Sequence, residues 1–346
     1  MNKKVTALIG AGMVAKTHVS ACAGASNRLR LKGISSRGRD RANALAAQAS
    51  TMMDSPVMVY GSIEALAKDS ELDFAIVATP PNVREDVIAP LVAAGKHILL
   101  EKPIGRTLAE SREIVAMCRN AGVILGVVFQ HRAREASISA MNLIREGQLG
   151  ALGVVEIDVP WWREQSYYDE PGRGTYSRDG GGVLISQAIH TIDLGLHLTG
   201  PVRSVLAMAS TSRFHKMESE DFVVAGLEFE NGASGSLKAS TASFPGRTES
   251  ITLHYENASL HLEAGQLQVS WRDGKVETLG EPASTGGGAD PMAFTHEWHQ
   301  RILENFVDAL NHDGDLLASG EQALVAHELI DATIRSAQCG KIQYLS

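Results

Sequence analysis

Over residues 1–125 the chain alternates short apolar runs with stretches whose apolar positions recur at helical spacing. Runs at 5–9, 29–35, 57–60, 74–78, 97–100 and 123–129 predict strands. Segments 13–25, 39–50, 63–68, 83–94 and 109–121 predict the helices between them. The run at 74–78 is apolar on both faces, as a strand covered by helices on each side requires. This alternation describes βαβ units and a doubly wound parallel sheet.

From residue 126 the pattern changes. Residues 136–146 predict a helix that Gly147 ends, and 153–159 alternate, with Val155, Ile157 and Val159 on one face and Glu156 and Asp158 on the other. After a helical stretch at 183–198, runs at 203–211, 221–230, 233–241, 250–256, 258–263 and 266–272 predict a mainly antiparallel sheet. Asn231-Gly232 and Asp273-Gly274 predict two-residue hairpin turns of the kind that needs positive φ. Residues 280–291, with Gly286-Gly287-Gly288, read as a mobile loop, followed by helices near 294–311 and 321–338 and a strand near 342–345. The division is therefore expected near residue 125: an α/β domain over 1–125 and an α+β domain over 126–346. Val223, Ala225 and Leu227 predict an apolar sheet surface suited to a homodimer or homotetramer.

Composition narrows the partners. Lys plus Arg is 32 against 40 Asp plus Glu, a net charge of -8, which argues against a sequence-independent grip on nucleic acid or an anionic membrane. No apolar stretch reaches the ~18–20 residues of a membrane helix, and the opening run at 5–9 is too short for a secretory h-region, so a cytoplasmic protein is expected. Cys22, Cys118 and Cys339 are too few and too scattered for a disulfide framework or a zinc site, and read as buried small hydrophobes. His296-x-x-His299 lacks the further ligands that zinc needs, so no metal is expected.

The clearest chemistry lies in Gly10-Ala11-Gly12-Met13-Val14-Ala15, between a predicted strand and a predicted helix. Gly10 permits the tight turn, Gly12 lets the backbone approach a pyrophosphate, and Ala15 lets helix and strand pack closely. The helix N-terminus adds free N–H groups and a positive dipole, so a dinucleotide is expected there. The next strand ends Ile34-Ser35-Ser36-Arg37, without the acid that would hold a ribose 2′-hydroxyl. Ser36 tolerates a 2′-phosphate and Arg37 pairs with one, so NADP is favoured over NAD.

Further motifs make the chain resemble the glucose–fructose oxidoreductase / inositol dehydrogenase (Gfo/Idh/MocA) family. They are Gly10-x-Gly12-x-x-Ala15-x-x-His18, Thr79-Pro80-Pro81-Asn82, Ala94-Gly95-Lys96-His97-x-x-x-Glu101-Lys102-Pro103, Gly180-Gly181-Gly182-Val-Leu184, His190-x-x-Asp193, and His299 seven residues before Phe306. The resemblance implies a Rossmann domain followed by a domain with a large open, mainly antiparallel sheet. It places cofactor contacts at Thr79, Pro80, Asn82, Glu101, Lys102 and Gln130 as well. Lys102 would hydrogen-bond the reacting oxygen, favouring an alkoxide in oxidation and polarising a carbonyl in reduction. Glu101 would anchor the nicotinamide ribose or orient Lys102.

Ser186, His190, Asp193 and His197 step by four, three and four residues, which predicts one helical face. The resemblance makes His190 the acid/base, with Asp193 orienting it; Ser186 stands where members commonly carry Asp or Asn. His197 reads as a packed or surface histidine. In one branch of the family an aromatic-arginine segment lines the active site, which implies substrate contacts from Arg163, Tyr167 and Arg173, joined by Gln187 and His190. Arg84 stands where members often carry a His. The implied activity is hydride transfer between nicotinamide and a sugar, polyol or sugar-derived alcohol or ketone. The alternatives are a glycosidase that retains NAD and a non-catalytic nucleotide sensor.

Overall fold

The apolar runs of the first part pair in one parallel sheet: β1 (Lys4–Ile9), β2 (Leu29–Ser35), β3 (Met58–Val59), β4 (Phe74–Val77), β5 (His97–Glu101) and β6 (Leu125–Val128). Their order is β3-β2-β1-β4-β5-β6, so the winding direction reverses between β1 and β4. The computed structural model describes residues 3–283 and 294–345. It separates into two compact units. The first takes the chain up to Gly105, then Ala109–Ala133 and Thr295–Ala323; the second takes Arg106–Leu108, the chain from Arg134 to Phe294, and everything from Leu324 on.

Helices Ala15–Gly24, Arg39–Met53 and Arg84–Ala93 belong to the first unit, as does helix Leu108–Asn120 from Ala109 on, as expected from the alternation. Helix Glu297–Leu310, distant in sequence, joins them and closes its core. Ile302, Leu303, Phe306 and Val307 of that helix pack with Leu8, Phe74, Leu99 and Val128, the Phe74 and Phe306 rings 5.2 Å apart. Phe306 fits because position 126 has no side chain: a Cβ there would stand 2.7 Å from the ring.

The second unit holds a nine-stranded sheet: β7 (Leu152–Pro160), β8 (Val202–Ser210), β9 (Phe222–Phe229), β10 (Ser234–Ser240), β11 (Ser250–Tyr255), β12 (Ala258–Glu263), β13 (Gln266–Trp271), β14 (Val276–Leu279) and β15 (Gln343–Tyr344). Its order is β14-β13-β12-β11-β7-β10-β9-β8-β15, antiparallel throughout except where β10 pairs with β7. Helices Glu135–Glu146 and Ile189–Thr199 pack on it; Gly147 ends the former at φ 75°, the left-handed stop that glycine favours.

Four expectations need correction. The hairpins at Asn231-Gly232 and Asp273-Gly274 are three-residue loops with only the glycine at positive φ. Phe229 N–H donates to Ala233 O, and Trp271 N–H to Lys275 O, so one more residue is spanned at each. The two-residue turn is instead Ala264-Gly265, at φ 52° and 82°, between the paired Glu263 and Gln266. β14 was not anticipated, because Val276-Glu-Thr-Leu279 is exposed nearly throughout and carries no buried face to mark it. Val223, Ala225 and Leu227 are buried, and the open face of β8 and β9 instead carries Leu206, Met208, Phe222 and Val224; strand parity puts odd positions of β9 inward. Finally, Cys22 and Cys118 are buried, and burial pushes their thiols up to about 12 and about 11, whereas Cys339 is exposed. The loop expected at 280–291 lies mostly outside the described residues.

Gly126→Ala tests the closure of the first core. The added methyl overlaps the Phe306 ring, and overpacking of this kind costs about 1–3 kcal/mol. Denaturant unfolding should show that loss, and an unchanged midpoint would mean that Phe306 does not rest on position 126.

Candidate active site

All the cofactor residues expected from sequence lie at or just after carboxyl ends of strands in the first unit, where open α/β sheets bind ligands. Gly10 follows β1 at φ 112°. A Cβ there would meet the Ala78 carbonyl oxygen at 2.6 Å, so β1 and β4 approach closely only because the residue is glycine. Gly10 N–H donates to Ser35 O (2.8 Å), tying this turn to the end of β2. A Cβ on Gly12 would have nothing within 4 Å, and Gly12 and Met13 are exposed. Helix Ala15–Gly24 begins with no side-chain cap and no acid in its first turn, so its N-terminal dipole is unopposed.

Thr79 and Gln130, after β4 and β6, carry buried side-chain oxygens (Oγ1 and Oε1) that find no partner among the described residues. Such groups cost about 1–3 kcal/mol each unless a ligand satisfies them. An open glycine cradle, an uncapped helix and two orphaned acceptors fit a dinucleotide. Asn82 and Pro80 are exposed. Ser36 is half-buried and Arg37 exposed; Arg41, not singled out from sequence, folds back so that a Cβ on Gly38 would meet its Nε at 2.8 Å.

Glu101 has partners that the sequence did not suggest. Its Oε1 accepts from His18 Nε2 at 2.8 Å, and His299 Nε2 stands 3.6 Å from the same oxygen. The two imidazoles meet edge to face with centroids 5.2 Å apart, and all three residues are buried. Burial works to raise the Glu101 pKa, but hydrogen bonds and charge from His18 and His299 outweigh it and hold the carboxyl well below the carboxylate range. Burial lowers the His299 pKa, opposed by its contact with Glu101. Glu101 is thus an anion fed by ring N–H donors.

Among the described residues, His18, Glu101 and His299 are the one group of three with metal-ligating atoms gathered within 4.8 Å. Those atoms face one another in a hydrogen-bonding arrangement. A divalent cation would break it and add positive charge next to Arg84, whose guanidinium already interacts with Glu101.

Lys102 follows Glu101 directly and is half-buried. Arg84 is almost entirely buried at 2% exposure, and donates from Nε and Nη2 to Thr79 O (3.2 and 3.1 Å) and from Nη2 to Lys102 O (3.3 Å).

In the second unit the triple glycine has a steric reason. A Cβ on Gly180, at φ 88°, would stand 2.5 Å from Arg106 O, and one on Gly182 would stand 1.8 Å from Glu220 O. Glu220 then serves as a distant cap: its carboxylate accepts from the Gly182 (3.2 Å) and Leu184 (3.1 Å) amides. Burial raises its pKa against those hydrogen bonds. The helix that follows starts as a π turn, Leu184–Ala188, and becomes α-helical over Ile189–Thr199. The wider turn disturbs the four-residue step from Ser186 to His190, so the single face expected for all four residues holds only over the α-helical His190, Asp193 and His197. His190 and Asp193 are buried, and His197 and Ser186 are half-buried.

Around Tyr167 the structure gathers Arg163, Arg173 and Gln187, three of the other four residues expected from sequence to meet substrate. The Arg173 guanidinium lies 4.8 Å and that of Arg163 5.8 Å from the ring centroid, and Gln187 Nε2 donates to the hydroxyl at 3.3 Å. Arg173 also pairs with Glu170 at 2.8 Å. Sequence reasoning missed what holds this segment. His215 spans from Asp221 Oδ2 (2.7 Å) to Arg163 O (2.8 Å), and Glu249 accepts from Arg134 (2.9 Å) and Trp161 Nε1 (3.2 Å).

Comparison with known proteins agrees with this geometry. Residues 4–129 match the model of an oxidoreductase family with an NAD-binding Rossmann fold, and residues 138–261 match the GFO/IDH/MocA C-terminal domain. The D-apiose dehydrogenase of Paraburkholderia graminis is 25% identical over 293 residues, 82% of this chain and 76% of that protein. The 1,5-anhydro-D-fructose reductase of Ensifer adhaerens is 26% identical over 295 residues, 81% of this chain and 82% of that one. Another match, an uncharacterised oxidoreductase of Schizosaccharomyces pombe, spans only 48% of this chain and 45% of its own. Among solved structures, the WlbA dehydrogenase of Bordetella pertussis in complex with NADH and UDP-GlcNAcA superposes with a TM-score of 0.82 at 27% identity, covering 100% of this chain and 99% of that one. With the glycine turn and both domains matched in order, the chain belongs to the Gfo/Idh/MocA family of NAD-binding oxidoreductases.

Proposed function

We propose that the protein is a nicotinamide-dependent dehydrogenase or reductase acting on a sugar, polyol or sugar-derived alcohol or ketone. The observation that carries this reading is the strand-end cluster in which the Gly10–Gly12 cradle and Lys102 occupy carboxyl ends of one parallel sheet. The dinucleotide, when bound, supplies or receives the hydride. Lys102 holds the reacting oxygen: its ammonium favours an alkoxide in oxidation and polarises a carbonyl in reduction. His190 takes or gives the hydroxyl proton, and Asp193, three residues on along the same buried helix, orients it. Tyr167, Arg163, Arg173 and Gln187 provide an aromatic face, two cations and an amide, a set suited to an oxygen-rich ring. The relatives named for apiose and anhydrofructose support a sugar-derived substrate.

NADP is the proposed cofactor form. The turn after β2 offers Ser36 and Arg37 with Arg41 folded beside it, and no acid stands at the ribose position. The open face bearing Leu206, Met208, Phe222 and Val224 is proposed to meet a second copy of the chain, since a contiguous apolar patch is seldom left to water.

Three measurements test these readings. Lys102→Ala should lower kcat by about 10²–10³-fold, as loss of a donor to a developing oxyanion does, while nicotinamide dinucleotide still quenches protein fluorescence with near-parental affinity. Full turnover in that variant would end the role given to Lys102. Arg37→Ala should weaken NADPH about tenfold while leaving NADH nearly unchanged, the loss expected for one charge-assisted contact; equal effects on both would return the preference to NAD. Met208→Glu should shift sedimentation toward the monomer if the open face is the interface, and an unchanged coefficient would place assembly elsewhere.

A further inference from the structure

We propose that Arg84 is a positioning residue for Lys102. Its buried guanidinium bridges the carbonyl of Lys102 to that of Thr79, locking the loop after β5 to the loop after β4. The inference rests on the reading of Lys102 as the working lysine only for its effect on turnover.

Arg84 is the largest fully buried side chain among the described residues, an unusual place for a cation. It opens helix Arg84–Ala93 and turns inward instead of into solvent. Its three hydrogen bonds all end on backbone carbonyls of the two loops expected to border the dinucleotide. Only a planar fork does this, because Nε and Nη2 converge on one oxygen while Nη2 also reaches the other; a lysine ammonium is a single point donor. The charge of Glu101, the residue before Lys102, favours the cation, and Glu101 is itself fixed by His18 and His299. Lys102 is therefore constrained twice, through its own carbonyl by Arg84 and through its preceding residue by the two imidazoles. Displacements of about 1 Å at such a point can cost about 10²-fold in rate, which is why rigidity here matters.

The test compares Arg84→Lys and Arg84→Gln with the parent. Both keep a donor long enough for one carbonyl but not for both, and neither leaves a large void. Each is treated with acetic anhydride, and the acetylation rate of Lys102 is followed by peptide mass spectrometry, with the exposed Lys275 as internal reference. If Arg84 positions Lys102, the Lys102 rate changes by about threefold or more while Lys275 does not, and kcat falls about tenfold with little change in dinucleotide affinity. An unchanged Lys102 rate in a folded variant overturns the proposal, whatever kcat does. A changed Lys102 rate with unchanged kcat upholds the positioning and overturns instead the assignment of Lys102 to the reaction.

Discussion

An ionised carboxylate in a dry interior must be surrounded by donors, and in the first unit that requirement organises everything around it. Glu101 sits at the end of β5, where two imidazoles meet it and the charge of a buried guanidinium favours its anion. Those partners come from the helix after the glycine turn, the helix after β4, and helix Glu297–Leu310. One carboxylate thus draws together three helices at the edge of the sheet where the cofactor cradle lies. Removing any one partner would leave a buried charge short of compensation, an arrangement costlier than never having built the pair.

The second unit follows the same logic with different acids. Glu220 caps the π turn from a distance, Asp221 holds His215 against the Arg163 carbonyl, and Glu249 gathers Arg134 and Trp161. None of these acids is assigned to substrate. Each fixes backbone or an aromatic side chain, and Asp221, through His215, fixes the backbone of Arg163, whose guanidinium lies over the Tyr167 ring. The chain carries eight more acidic than basic side chains, yet its buried acids meet bases: His18 and His299 at Glu101, His215 at Asp221 and Arg134 at Glu249.

Much of this was legible in the sequence, for a physical reason. Burial of one or both faces writes a period into the chain, so β1 to β6 and the helices between them were readable, as was the glycine turn, whose residues are dictated by backbone geometry. What escaped had no periodic signature. β14 has almost no buried face. The positive-φ turn at Ala264-Gly265 lacks the usual Asn or Asp, while Asn231-Gly232 and Asp273-Gly274 have that signature but form longer loops. The face of β9 was misassigned because parity depends on which side the helices cover. His18 and His299 were noted as motif letters, but a contact spanning most of the chain is invisible to spacing, and so was the meeting of both rings on Glu101. The capping by Glu220 and the contact of His215 with the Arg163 carbonyl likewise rest on long-range pairing, while the inward turn of Arg84 has no periodic mark.

The helix from Glu297 to Leu310 has a consequence for how the protein is made. The first unit's sheet and its early helices are translated by Ala133, but the segment that covers Leu8, Phe74 and Leu99 begins only at Thr295. At about 5–20 residues per second, a ribosome needs roughly 8–30 s to cross that interval. During it the nascent half exposes an apolar groove and an acid without its second imidazole, so the nucleotide-binding half cannot reach its final state before the chain is almost complete. A chaperone that shields this groove, or dinucleotide already engaged at the glycine turn, would act in that window.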